Sequence, residues 1–161
     1  MAVTYINSAY DFVLDPLKDL LLAEFNYGKI YIAPEMQHND PFSIRLWCDN
    51  IETHEFLSSA WVKQYNVEIF MYQIENNTRE GFYKQFYNDI ERIYQLLFEE
   101  GIKKSTTITT GSGSQAGTVT EVWYDGQPGE MLINDFEDEQ EVSGLNVCKI
   151  IFNCKVMREN T

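Results

Sequence analysis

At 161 residues the chain has the length of one domain, and it can bury about 70% of the surface its unfolded form exposes. Its 44% hydrophobic and 23% charged residues are ordinary for a globular protein, while 14% aromatic is high. Twelve Lys and Arg against 25 Asp and Glu give a formal charge of −13, which excludes nucleic-acid binding by phosphate neutralisation and argues against docking on anionic membranes.

The first element is a helix over about Tyr5 to Phe25, where Phe12, Leu14, Leu17, Leu20, Leu21 and Phe25 recur at spacings that suit one helix face. Pro16 interrupts it and should kink or split it, because proline lacks the N–H and clashes with the preceding turn. Asn26-Tyr27-Gly28 stops the helix, with Gly28 expected as a left-handed cap. Lys29 to Ala33 is a short strand ended by Pro34. After the polar turn Gln37 to Pro41, a second strand runs from Phe42 to Cys48. It sets Phe42, Ile44, Leu46 and Cys48 on one face and Ser43, Arg45 and Trp47 on the other. The polar stretch Asp49 to Ser59 is expected to be an irregular connection. Trp61 to Ile74 carries large apolar groups on both faces, so it reads as a central or doubly covered strand.

Asn76-Asn77-Thr78 reads as a turn and helix N-cap. The second helix, about Arg79 to Glu100, places Phe82, Phe86, Ile90, Ile93 and Leu97 on one stripe, with Gly101 as its stop. Tyr83, Tyr87, Tyr94 and Phe98 widen that stripe towards another surface. The composition then turns abruptly to Ser, Thr and Gly. Thr106 to Thr110 can be extended, but the loop over about Ser105 to Thr118 has little to bury and is expected to be flexible. Thr118 to Tyr124 alternates as a strand, Asp125-Gly126 and Pro128-Gly129 are turn signals, and Met131 to Ile133 is a further short strand. The last strand, Leu145 to Met157, has Cys148, Ile150, Phe152, Cys154 and Val156 on one face. The expected fold is a single α+β domain: a mixed, mostly antiparallel sheet with two helices packed on one face and long loops extending from it.

Little in this order of elements suggests chemistry. Cys48, Cys148 and Cys154 form no CxxC pair, and the last two would lie roughly 20 Å apart along one extended strand, so they read as free thiols. His38 and His54 sit in separate segments, with neither a metal-ligand spacing nor a nucleophile partner. Gly111 to Gly117 superficially resembles a phosphate loop, but strand-forming Thr and Val follow it where a helix would have to begin. No enzyme, cofactor or metal is expected, and no membrane span is visible, since no apolar run approaches ~20 residues.

The densest charge feature is the run containing Asp135, Glu137, Asp138, Glu139 and Glu141. It can be a solvated loop, or it can face a basic patch on a neighbouring protein or repel DNA. With the loop tip Ser112, Gly113 and Ser114, these residues are the candidate interface positions, and exposed edge strands add natural docking sites. An acidic decoy that mimics DNA is one alternative, although most carboxylates are scattered rather than strung along one face. A small-ligand-binding domain is another, with Tyr83, Tyr87 and Trp123 lining a pocket.

An N-terminal helix is followed by Ile30-Tyr31-Ile32, a hairpin partner Phe42 to Leu46 and the strand Tyr65 to Tyr72. An amphipathic helix Phe82 to Phe98, a glycine-rich loop and a closing strand Val147 to Met157 complete the order. This order resembles the tail terminator, or tail completion, proteins of long-tailed bacteriophages. The resemblance implies a structural virion protein without catalytic residues. Such a protein forms a ring, usually of six copies, on the last ring of tail tube protein, stops tube polymerisation and offers a docking surface to the head-tail connector or neck proteins. DNA would pass through without specific binding, and a negative lumen keeps phosphates from sticking. Its implied location is the tail-neck region of the virion, after assembly in the host cytoplasm.

Overall fold

A computed structural model describes residues 5–26, 28–33, 40–58, 60–76, 79–101, 104–108, 119–133 and 144–159. The first helical stretch divides next to Pro16. Ala9–Leu14 winds as a π-helix, and α1, Asp15–Glu24, continues with the proline in its first turn, where a missing N–H forfeits no intrahelical bond. Gly28 does not adopt the left-handed conformation expected of a cap. It fits tightly instead, since a Cβ there would lie 2.5 Å from the Phe42 ring, which would have to shift.

The strands are β1 (Lys29–Ile32), β2 (Phe42–Phe56), β3 (Ala60–Ile74), β4 (Lys104–Ile108), β5 (Val119–Ile133) and β6 (Leu145–Glu159), with α2 (Glu80–Glu100) between β3 and β4. They form one sheet in the order β1-β2-β3-β6-β5-β4. Every pairing is antiparallel except β1 with β2, so the fold is α+β with a mixed, mostly antiparallel sheet. β3 is central, as its two apolar faces require.

Several sequence expectations change. Phe42 to Leu46 is not a hairpin partner of β1 but runs parallel to it, with Ile30 opposite Ile44. Residues 33–41 separate the two strands, long enough to return the chain to the start of β1 rather than turn it tightly. Of the expected irregular connection Asp49 to Ser59, the stretch Asp49 to Phe56 is strand. β2 continues to Phe56, zipped to β3 from Phe42 opposite Gln73 to Phe56 opposite Trp61. Asp125-Gly126 and Pro128-Gly129 are not turns but bulges in one long β5. Asp125 and Gly126 together oppose Cys154, and Gly129 and Glu130 together oppose Ile151. Asp125 takes the positive φ, 56°, that the first bulge demands. Residues 104–108, expected at the edge of the flexible loop, form β4 against β5. The N-cap of α2 is Arg79 rather than the Asn-Asn-Thr turn, and it makes no side-chain capping bond.

The core lies between one face of the sheet and the helices. Phe12, Leu17, Leu21 and Phe25 from the N-terminal helices, and Phe86, Ile90, Ile93 and Leu97 from α2, pack on Ile44, Leu46, Val67, Ile69, Met71, Cys148, Ile150 and Phe152. Asp89 interrupts the apolar stripe of α2 and is buried. Its carboxylate accepts hydrogen bonds from Gln73 Nε2 at 2.7 Å and from Gln85 Nε2 at 3.0 Å, which makes its burial tolerable. Arg92 ties α2 to α1, pairing with the Glu24 carboxylate, donating to the Glu24 carbonyl at 2.7 Å and lying 4.6 Å over the Phe25 ring. At the other end of α2, Trp123 is fully buried and its Nε1 donates to the Gly101 carbonyl at 2.8 Å. Gly126 is what allows that approach, because a Cβ there would overlap the Gly101 carbonyl oxygen. The opposite face of the sheet carries a smaller cluster in which Trp47 stacks on Phe70 at 4.6 Å and Phe70 on Tyr72 at 5.9 Å.

Candidate functional site

The sequence-level interface candidates Ser112, Gly113, Ser114, Asp135, Glu137, Asp138, Glu139 and Glu141 all fall outside the described residues, as does His38. His54 is exposed on β2. Tyr83, Tyr87 and Trp123 do not share a pocket. The two tyrosines are exposed near the start of α2, whereas Trp123 is sealed against its C-terminal end, roughly 20 Å along the helix axis. Among the described residues no three His, Cys, Asp or Glu side chains cluster as metal ligands would. The three cysteines are free, and burial holds each as a protonated thiol. It pushes Cys148 up to about 12 and Cys154 higher still, and it raises the half-buried Cys48. None of them offers a thiolate at neutral pH.

What the structure does expose is an arm. β1 covers β2 only from Ser43 to Leu46. From Trp47 to Phe56, among the described residues, nothing pairs with the outer edge of β2, so its backbone N–H and C=O groups form an open edge. The inner edge is held firmly by β3, which is held in turn by β6 along the whole interval from Ala60–Glu159 to Ile74–Leu145. The tip is closed by a bond from the Leu57 N–H to the Ala60 carbonyl at 2.8 Å. Large apolar groups lie uncovered along this arm: Ile51 is 50% exposed, Phe56 82% and Leu57 52%. Asp49, Glu52 and Glu55 are exposed beside them. The sequence signal was present as three apolar residues in an otherwise polar stretch. Apolar periodicity reports burial, however, and the β2 side of the arm, exposed from Asp49 to Ser58, has none.

A second uncovered apolar surface lies on α2. Tyr83, Tyr87 and Phe98 are exposed and Tyr94 is half-buried, forming a stripe that follows the helix for roughly 22 Å. Tyr83 and Tyr87 stack with ring centroids 6.4 Å apart. At the far end, Tyr94 and Phe98 line a cleft of about 310 Å³ together with Asp125, Gly126, Gln127 and Pro128. The arm and the stripe are different surfaces on different elements. An association that joined them would be head-to-tail, which closes into a ring or propagates as a filament. Compared with protein-family models and with curated proteins, the chain matches none.

Proposed function

We propose that the chain is a ring-forming structural protein of the phage tail terminator type, which caps a tail tube, stops its growth and presents a surface to the head-tail connector. The observation that carries the reading is the β2–β3 arm: a rigid strand pair with an open edge and apolar side chains at its tip, suited to lying against a neighbouring copy. The order of elements supports it, and so does the charge of −13, which suits a channel that DNA must cross without sticking. In this reading the partners are other copies of the chain, the tail tube protein and the neck proteins, and the protein resides in the virion.

The test combines native mass spectrometry with electron microscopy of the full chain, alone and with assembling tail tube protein. Closed rings of about six copies and shortened tubes are expected. Phe56→Asp, at an exposed position, should leave the melting temperature unchanged and abolish the rings. A monomer that neither forms rings nor changes tube length would refute the reading.

A further inference from the structure

On the face of the sheet opposite the helices, four neighbouring strands place a carboxamide at the same register position. Asn50 on β2 opposes Asn66 on β3, Asn66 opposes Asn153 on β6, and Asn153 opposes Gln127 on β5. Asparagine is depleted in strands, so β-propensity gives no reason for such a row. Gln64 extends it on one side, with its Nε2 donating to Asn66 Oδ1 at 3.0 Å, while Asn66 Nδ2 donates to Asn50 Oδ1. Gln127 and Asn153 line a cleft of about 130 Å³ with Gln64, Asp125, Cys154 and Lys155. That is room for about four waters, whose places the hydroxyls along one edge of a sugar can take. Lys155 Nζ meets Asp125 Oδ2 at 2.9 Å beside the cleft, leaving the local charge balanced.

We propose that this row is a binding site for carbohydrate, with an oligosaccharide lying across the strands. A carboxamide carries two donors and an acceptor on a neutral group, and each sugar hydroxyl is both donor and acceptor, so the capacity that Asn50, Asn66 and Gln64 do not spend on one another matches a sugar without burying charge. The row repeats at the strand spacing of about 4.8 Å, close to the advance of one pyranose residue in an extended glycan. The like-facing groups of an extended peptide recur at roughly 6.7 Å and fall out of step. Aromatic rings flank the amides diagonally on the same face. Trp47, half-exposed and stacked on Phe70, lies in the neighbouring row opposite Glu68, and Tyr124 lies in the row beyond, opposite Lys155. Such rings accept the apolar C–H side of a sugar while the amides take its hydroxyls. The site is independent of whether the chain forms rings.

The experiment follows the side-chain NH₂ signals of the isotopically labelled full chain by NMR, titrated to millimolar concentration with cellotetraose, maltotetraose and chitotetraose. At least one of the three should shift the Asn153 and Gln127 signals saturably. Gln127→Ala and Asn153→Ala should each weaken that binding about tenfold or more, with the exposed Gln127 variant melting like the parent. No shift with any of the three sugars would overturn the proposal. So would binding undiminished in the Gln127 variant, or the same shifts produced by an unstructured peptide and not by the sugars.

Discussion

Gly126→Ala tests the junction that fastens α2 to the sheet. The alanine Cβ would overlap the Gly101 carbonyl oxygen, sit 2.8 Å from the Gly101 carbonyl carbon and lie 3.0 Å from Phe152 Cζ. Two of these obstacles are backbone atoms at the end of a helix pinned by four buried apolar side chains, so no rotamer change relieves the clash. The end of α2 must lift from β5, and the bond from Trp123 Nε1 to the Gly101 carbonyl breaks with it. Overpacking costs about 1–3 kcal/mol, and a buried donor left without its acceptor costs about another 1–3 kcal/mol, which gives a loss of roughly 2–6 kcal/mol. Urea unfolding measures it. A double-mutant cycle with Trp123→Phe sharpens the test, because either change alone already breaks the shared bond. The double variant should therefore lose at least about 1 kcal/mol less than the sum of the singles. A Gly126→Ala loss below about 0.5 kcal/mol, or strict additivity in the cycle, would refute this account of the junction.

Ile90→Ala removes a fully enclosed side chain from the middle of the α2 stripe and should cost about 2–5 kcal/mol in urea unfolding, whereas Tyr87→Ala on the uncovered flank should cost well under 1 kcal/mol. Alkaline pH should destabilise the fold. Burial raises the folded pKa of Cys148 from 9.0 to about 12 and that of Tyr65 from 10.0 to about 12, so the folded state holds protons that the unfolded chain releases. That stability is complete below about pH 9 and is lost as the pH climbs towards 12, by up to about 1.4 kcal/mol per unit for each of the two groups. Cys148→Ala should make the fall in the urea midpoint between about pH 9 and 11 shallower, and a midpoint constant over that range would contradict the burial argument.

Much of the fold was legible in the sequence because it rests on periodic burial. The α2 stripe, the two-faced β3 and the alternating β6 each bury a regular set of side chains, and the expected α+β layering follows from those faces. Even the break in the first helix could be read from Pro16, a local steric constraint. Two kinds of feature were decided only by the tertiary structure. One is strand formed by pairing rather than by pattern. Residues 49–56 are mostly polar and all exposed, yet they are extended because β3 offers them a ladder. Bulges between Cys48 and Asn50 and between Thr53 and Glu55 throw off any remaining alternation. The Asp-Gly and Pro-Gly signals in β5 similarly mark bulges, because β5 stays paired with β6 on either side of each of them. The other is juxtaposition across the chain. Asn50, Asn66, Gln127 and Asn153 are scattered over more than 100 positions, and only the register of four strands makes them a row. Trp123, Gly101 and Gly126 become one junction for the same reason: hydrogen bonding and close packing act through space, and a linear sequence records neither distance nor register.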